Sequence, residues 1–337
     1  MLKKSIKTYY ITNNIYLDIH IDENHTKNLI EINKKIYYFS SDYHEDENYL
    51  GIENGPPNIS IIYNFCNLLD SKIKHINLNN RDIYYYIYID DKSLYLLNTV
   101  FLICSYLIFK LNYNIEKIIR ILCKSELLND HPTQYKDCVG YFGGYQSNLI
   151  DCLKCLYFVK NKNYFILNNF DNKFYNNCNN FEKFDFNIIL SKMIAMRSPK
   201  NNNELINMIN ILKTNNIKLL IRLNNDYIYD ESLLSNNNDN LDVYNLFFED
   251  CKIPSINIII NFIKLLNEYN EMIAIHCKAG LGRTGILICI WLIYKLNFKP
   301  EYAIEWLRIY RPGSIHGYQG HFIKTLNRDY LISLINN

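Results

Sequence analysis

The feature that most constrains this chain is a short apolar run that leads into a glycine-bearing loop and then into a second apolar run. The first run is Ile273 to Cys277, and Lys278 to Gly285 follow it. The pattern is typical of a strand, a tight loop and a helix, which is a building unit of α/β proteins. Gly280 and Gly282 allow the backbone to curl until successive N–H groups point at one tetrahedral anion. The helix, predicted to open at about Thr284, adds the positive end of its dipole, so the stretch is predicted to be a phosphate cradle.

Cys277 lies at the start of this cradle, where the same donors would stabilise a thiolate. The sequence therefore predicts that Cys277 is a nucleophile. Arg283 offers a planar fork that binds two phosphate oxygens at once, and Thr284 is placed to hydrogen-bond the sulfur as it leaves. A buried structural cysteine beside a turn is the alternative, which the order of strand, glycine loop and helix disfavours. The predicted phosphate-binding residues are Lys278, Ala279, Gly280, Leu281, Gly282 and Arg283.

Phosphoryl transfer through a cysteine needs a proton donor for the departing oxygen. Asp250 is the candidate, because it follows the apolar run Val243 to Phe248, which is predicted to be a strand beside the nucleophile's strand. Glu249 is its competitor, and both residues could instead be solvated turn residues. Gln319, predicted to lie in a loop, is the candidate for positioning the water that hydrolyses a phosphocysteine.

Composition limits the classes of function that remain. The chain has 337 residues, 49% of them hydrophobic, which is enough for two cores, and its net charge of +2 argues against partners held by bulk charge, such as nucleic acid. The ten cysteines lack zinc-site spacing, and no apolar leader-like segment follows Met1 to Lys4. We expect a reduced, intracellular protein of the cytoplasm or nucleus, with no metal or other cofactor. Cys152 and Cys155 are expected to be ordinary helix cysteines.

Periodicity predicts a two-part α/β chain. Short strand-like runs are expected over residues 7–49, and a strand over 82–89 leads into an apolar helix over 94–111, which is interpreted as buried rather than membrane-spanning. This strand, loop and helix repeat the order seen at Cys277, but without a Cys, Arg or Gly. The predicted units are an N-terminal domain over 6–160, an interdomain segment over 161–185 and a catalytic domain over 186–337. The remaining predicted elements are helices over 59–69, 115–124, 148–160, 204–214 and 256–269, strands over 186–196 and 218–223, and a low-complexity loop over 235–240.

The loop sequence His276 to Gly285 resembles the cell-division-cycle-fourteen family of dual-specificity protein phosphatases, which act in mitotic exit. Further similarity lies in Arg222-Leu223-Asn224, in Tyr244 to Phe248 before Asp250, and in Arg311-Pro312-Gly313-Ser314. Phe39 to Asp42 and Asn148 to Leu153 look similar as well. The resemblance covers most of the chain and is strongest from about Lys218 onward.

This resemblance implies two tandem phosphatase-like domains, each with a mostly parallel sheet flanked by helices, joined by a linker helix. The first domain would recognise substrate without a catalytic Cys. The resemblance also implies Cys277 as nucleophile, Arg283 as phosphate ligand, Asp250 as general acid and Gln319 as the water-positioning residue. The implied substrates are phosphoserine or phosphothreonine followed by proline, at sites of the cyclin-dependent kinase type, and phosphotyrosine. An acidic groove between the domains would select a downstream basic residue.

The chain departs from that family pattern at three places. Cys251 follows Asp250 where the family usually has Gly, and Gly320 and His321 follow Gln319 where further glutamines are usual. With Lys160 just before it, the interdomain segment carries four lysines against three acidic residues: Lys160, Lys162, Lys173 and Lys183 against Asp171, Glu182 and Asp185. An acidic groove is therefore not evident in the sequence.

Three alternatives stay open from the sequence. A phosphoinositide phosphatase is disfavoured because Leu281 stands where a second loop lysine would hold extra phosphates. An inactive phosphoprotein-binding scaffold is disfavoured by the intact motif. Redox control is a further hypothesis, in which Cys251 or Cys289 traps Cys277 as a disulfide. Physiological substrate and oligomeric state are left undetermined.

Overall fold

A computed structural model describes residues 7–45, 55–78, 80–88, 93–127, 133–137, 140–179, 184–225, 233–234 and 241–336. The predicted low-complexity loop over 235–240 lies outside the described residues. So do residues 89–92, which follow the strand of the N-terminal strand-loop-helix unit, and two charged residues of the interdomain segment, Glu182 and Lys183. The strands are β1 Thr8–Thr12, β2 Ile15–His20, β3 Ile36–Phe39, β4 Asp82–Tyr88, β5 Phe186–Ile189, β6 Met193–Arg197, β7 Leu219–Arg222, β8 Asp242–Asn245 and β9 Ile273–Cys277. The α-helices are α1 Glu23–Ile32, α2 Ile59–Ile73, α3 Ser93–Phe109, α4 Ile115–Lys124, α5 Leu149–Asn161, α6 Asn172–Cys178, α7 Asn202–Thr214, α8 Ile256–Glu268, α9 Gly282–Leu296, α10 Pro300–Tyr310, α11 Gln319–Lys324 and α12 Arg328–Asn336.

The N-terminal sheet has the strand order β1-β2-β4-β3. Strands β2, β4 and β3 run parallel, and β1 is antiparallel to β2 at the edge. Buried and partly exposed side chains alternate along strand β4. Ile83, Tyr85 and Ile87 are the buried ones, because one face of the strand packs on the helical layer. Helix α3, which the sequence predicts to be buried rather than membrane-spanning, is buried along most of its length and lies against α2 and α5.

The second sheet has the order β5-β6-β9-β7-β8, parallel except for the β5–β6 pair. Strand β9 is central and every one of its residues is buried. Its last residue, Cys277, lies opposite Arg197 at the end of β6, and His276 lies opposite Arg222 at the end of β7. The carboxyl ends of the parallel strands therefore meet at Cys277, as ligand sites in such sheets require.

Four sequence predictions were wrong in detail. The single strand over 186–196 is a hairpin, because Leu190 and Ser191 turn the chain with φ values of 49° and 54°. Strand β8 pairs with β7 and not with the nucleophile's strand, so Asp250 reaches the site from one strand further out.

The other two concern helices. Residues 23–32, which lie in the stretch of short strand-like runs and polar turns predicted over 7–49, form helix α1; the Asp22 side chain caps it by accepting a hydrogen bond from the His25 N–H. Gln319 opens helix α11 instead of lying in a loop.

Both sheets share one continuous cluster of buried apolar side chains, which runs through the contact between α5 and α10. The two cysteines of the C-x-x-C pattern lie at this contact. The Cys152 thiol donates to Glu305 Oε2 at 3.2 Å, and the Cys155 thiol donates to the Tyr302 carbonyl at 3.3 Å. They are therefore buried helix cysteines, as predicted, and join the two halves.

No helix within the described ranges is both long enough and apolar enough to cross a membrane.

Candidate active site

The loop after β9 curls around the sulfur of Cys277. The Gly280 N–H donates to Cys277 Sγ at 3.2 Å, and the cysteine is almost fully buried. Gly280 has φ +70°, and a Cβ built on it would lie 2.2 Å from the Met196 carbonyl oxygen on β6. Only glycine combines this left-handed backbone with so close an approach, so the residue is required for the loop to close on the sulfur.

A residue without a predicted role, Arg311, holds the outer side of the loop. Its Nε donates to the Gly280 carbonyl at 2.9 Å and one terminal nitrogen donates to the Ala279 carbonyl at 3.4 Å. The guanidinium is itself fixed by Asp185, at 2.6 and 3.2 Å, and by the Asn187 side chain at 2.6 Å. Because these loop carbonyls point outward to Arg311, the Gly280 N–H is left directed at the sulfur. In the sequence, the only signal is an arginine directly after an apolar helix, before Pro312-Gly313.

Arg283 lies in the first turn of α9 and is nearly buried. One terminal nitrogen donates to the Leu223 and Phe248 carbonyls, at 3.2 and 3.0 Å, which ties the side chain to the loops that follow β7 and β8. Its Nε lies 3.2 Å from Asp250 Oδ1. The two residues predicted for phosphate binding and proton donation thus form an ion pair.

Asp250 lies in a turn beyond β8, and its side chain is 56% exposed. It lines a cavity of about 450 Å³ together with Lys278, Arg283, Glu249 and Phe248. Both competing carboxylates border this space, but only Asp250 is paired with Arg283 in the described structure. The geometry therefore favours Asp250 over Glu249.

Thr284 is fully buried, and helix α9 begins at Gly282, two residues before the predicted start. The Thr284 hydroxyl oxygen has no hydrogen-bond partner among the described residues. A buried hydroxyl without a hydrogen-bond partner destabilises the fold. Its presence here is consistent with a hydroxyl that hydrogen-bonds a reacting atom during catalysis.

Gln319 is fully buried beside the loop, and its Oε1 accepts a hydrogen bond from the His316 N–H at 3.3 Å. A Cβ built on Gly282 would lie 3.1 Å from both amide atoms of Gln319 and 2.7 Å from His316 Nε2. The two side chains therefore lie directly over Gly282 of the phosphate loop. Of the pair, sequence reasoning singled out only Gln319.

Two residues of the N-terminal domain, Asp137 and Tyr145, contact the turn at His316 and Gly317. Asp137 Oδ2 accepts from the Gly317 N–H at 2.9 Å, and the Tyr145 N–H donates to the Gly317 carbonyl at 3.0 Å. Arg308 is buried between the domains and donates to the carbonyls of Tyr145 and Ile315. The N-terminal half of the chain thus fixes part of the candidate site in the C-terminal half.

His276, next to Cys277, is a structural histidine. It is fully buried, and burial, with the positive charges of Arg222 and Arg283, lowers its pKa to about 3. It is therefore neutral at neutral pH and adds no charge to the cradle.

The two cysteines of the redox hypothesis differ in setting. Cys251 is exposed and has φ 58°, whereas Cys289 is buried in α9 and burial raises its pKa well above the ordinary value. A thiol that stays protonated is a poor partner for exchange. Trapping of Cys277 by either cysteine stays a prediction.

Comparison with known proteins follows the same division into two halves. The family profile described as "Dual specificity protein phosphatase, N-terminal half" matches residues 8–179, and "Dual specificity phosphatase, catalytic domain" matches residues 191–329. The dual specificity protein phosphatase CDC14A of Mus musculus is 31% identical over 301 residues, which cover 86% of this chain and 48% of the relative. The tyrosine-protein phosphatase CDC14 of Candida albicans is 28% identical over 329 residues, covering 90% of this chain and 59% of the relative. Among solved structures, a putative protein tyrosine phosphatase from Leishmania major is 27% identical and aligns with 40% of this chain and 88% of its own, at a TM-score of 0.37.

The chain spans about half the length of the CDC14A relative that it matches. The first profile alone covers just over half of the chain, and the second continues almost to its end. With two mostly parallel sheets in tandem and the cysteine loop at the centre of the second, the chain belongs to the CDC14 family of dual-specificity phosphatases.

Proposed function

We propose that this chain is a phosphoprotein phosphatase that works through a phosphocysteine intermediate. The observation that carries the proposal is the loop in which the Gly280 N–H meets Cys277 Sγ, bordered by the Arg283–Asp250 ion pair. Asp250 and Arg283 border one cavity together with Lys278, the residue after Cys277, and each of the three proposed groups is a residue type that the chemistry needs.

In the first step, the Cys277 sulfur attacks phosphorus while the bond from phosphorus to the substrate oxygen breaks. Asp250 protonates that departing oxygen. The N–H groups of Lys278 to Gly282 and the Arg283 fork bind the three remaining phosphoryl oxygens, on which charge develops. Arg283 exchanges its contact with Asp250 for one with the phosphoryl group.

In the second step, water attacks the phosphocysteine. Asp250 now takes the proton from water, the sulfur–phosphorus bond breaks, and the thiolate of Cys277 is regenerated with release of phosphate. The Thr284 hydroxyl, which is buried and has no partner among the described residues, hydrogen-bonds the sulfur as it leaves, and Gln319 positions the water. The chemistry is complete without a metal ion.

We propose phosphoserine or phosphothreonine followed by proline, and phosphotyrosine, as substrates. Beside the loop, residues 133–137 and 140–147 meet residues 316–324 and form a surface that we call the seam. Tyr141 and Tyr318 are exposed there with ring centroids 5.7 Å apart, an aromatic pair on which a proline ring can pack.

The seam does not support selection of a downstream basic residue. In its described part the only carboxylate is Asp137, which is buried, whereas Lys136, His321 and Lys324 are exposed. We therefore propose that this chain cleaves phosphoserine-proline peptides with a downstream Glu at least as well as those with a downstream Lys. A tenfold or larger preference for Lys would contradict this.

A phosphoinositide substrate is disfavoured because Leu281 is buried and apolar at a central loop position and Lys278 is the one exposed cation of the loop 278–282. A polyanionic headgroup would need further cations. The same panel should therefore include a soluble phosphoinositide, whose turnover we expect to be slower than that of the phosphopeptides.

The decisive test of the chemistry is a pair of variants assayed with an aryl phosphate. Cys277→Ser should abolish turnover, and Asp250→Ala should lower kcat by roughly 10²- to 10⁴-fold, the usual contribution of a general acid. Glu249→Ala is the matched control and should keep activity within a few fold. Turnover that survives Cys277→Ser would refute the mechanism.

We further propose the domain limits 6–160 and 186–337, with 161–185 between them, and an intracellular role in cell division, in the cytoplasm or nucleus. The domain limits are supported by helix α6, which lies in the chain between the strands of the two sheets. The intracellular location is supported by the nine described cysteines, which are all free thiols. Limited proteolysis with mass spectrometry would test the limits. Imaging of a fluorescent fusion through the cell cycle would test the location, and exclusion from cytoplasm and nucleus at every stage would contradict it.

A further inference from the structure

The side chain of His316 lies in the active site, and the mechanism above gives it no role. Its Nε2 atom is so close to Gly282 of the phosphate loop that a Cβ on that glycine would approach it to 2.7 Å. The ring is partly exposed, and Gln319 lies against the same glycine. One histidine and one glutamine thus share a single face of the loop.

The turn that carries His316 is held from three directions. Its N–H donates to Gln319 Oε1 at 3.3 Å, and its carbonyl accepts from the Gln319 N–H at 3.3 Å. The next residue, Gly317, is fixed by Asp137 and Tyr145 of the N-terminal domain. His316 is therefore pre-organised and is not a loose surface residue.

The charged groups around the ring come from three other segments. Burial is the main cause that lowers the pKa of His316 from the ordinary value. Arg308 lowers the pKa further, whereas Asp137 and Asp250 raise it. The ring is therefore largely neutral at neutral pH, with one nitrogen that donates and one that accepts. A neutral imidazole beside a carboxylate and an amide is suited to binding a water molecule, because water needs both donors and acceptors.

We propose that His316 is a second water-binding residue of the hydrolysis step, acting with Gln319 over Gly282. Both would hydrogen-bond the water that attacks the phosphocysteine, on the side of the site where Asp250 accepts its proton. The inference deepens the proposed function and rests on it. It predicts a selective effect on the second step, since no water takes part in the first.

The test separates the two steps by rapid kinetics with 4-nitrophenyl phosphate. Release of 4-nitrophenolate reports formation of the phosphocysteine, and the steady-state rate, with acid-quenched mass spectrometry of the Cys277 peptide, reports its hydrolysis. His316→Leu should leave the formation rate within about twofold and slow hydrolysis at least tenfold, which is about 1.4 kcal/mol of barrier. The phosphorylated peptide should accumulate in this variant.

Two variants guard against a merely structural effect. His316→Gln places an amide where Nε2 now lies and should restore hydrolysis to within a few fold of wild type. His75→Leu, at an exposed histidine of the N-terminal domain, is the matched control and should behave as wild type.

Two results would overturn the inference while leaving the proposed function intact: equal loss of both steps in His316→Leu, or unchanged hydrolysis in that variant. A wild-type chain that never forms a phosphocysteine would refute both.

Discussion

Replacing Arg311 with methionine should damage both the stability of the protein and its phosphate loop. The guanidinium is 1% exposed and is paired with Asp185, which is fully buried. Removal of one partner from a buried ion pair leaves the other charge uncompensated and costs about 3–5 kcal/mol. For a protein of this size, that loss corresponds to a fall in Tm of roughly 10 °C. The Gly280 and Ala279 carbonyls also lose their donors, so the loop N–H groups are no longer held toward the phosphate. We expect kcat/KM for an aryl phosphate to fall about 100-fold.

A double variant separates these two effects. Arg311→Met combined with Asp185→Asn removes the buried charge, so most of the lost stability should return in urea unfolding. Activity should stay low, because the Gly280 carbonyl still lacks its partner. Arg120→Met, at an exposed arginine on α4, is the control and should change neither quantity. The reasoning is refuted if Arg311→Met unfolds at the wild-type temperature, or if the double variant recovers full activity.

Three further predictions concern the loop and the buried titratable groups. Gly280→Ala should reduce activity at least 100-fold, since its Cβ would collide with the backbone of β6, whereas Gly140→Ala, with φ +69° but open space around it, should be fully active. The pKa of His276 is lowered to about 3 in the folded protein, so the unfolded chain binds a proton first as the pH falls. The free energy of unfolding should therefore fall by about 1.4 kcal/mol for each pH unit below about pH 6.5. His276→Asn should flatten that slope in urea titrations. Burial raises the pKa of Glu305 in the folded protein, so the protonated side chain stabilises the fold. That contribution to stability is lost as the pH rises above the ordinary glutamate pKa. The stability of Glu305→Gln relative to wild type should therefore grow with pH, and a pH-independent difference would count against the assignment.

The local pattern of the sequence was sufficient to predict most helices and strands and the loop that follows Cys277. Helix α4 over 115–124 agrees with the prediction residue for residue, and strand β9 ends at Cys277 as expected. These features depend on periodicity and on glycine, which act within a few residues of each other. Helix α1 was not foreseen within the stretch of short strand-like runs predicted over 7–49, because this surface helix buries little apolar area. The hairpin at Leu190 was missed because neither it nor Ser191 is a usual turn residue for positive φ.

Only the tertiary structure decided what surrounds the loop. Asp185 and Arg311 are 126 residues apart, and Asp137 and Gly317 are 180 apart, so no local pattern links either pair. The same holds for His316, which sequence reasoning passed over between Ser314 and Gln319. By itself the sequence was enough to predict a nucleophile, its arginine and an acid, because the residues for that chemistry lie in one short loop and its neighbours. The fold decided which carboxylate meets the arginine and which side chains hold the loop open to phosphate, because those contacts depend on strand order and on the packing of two domains.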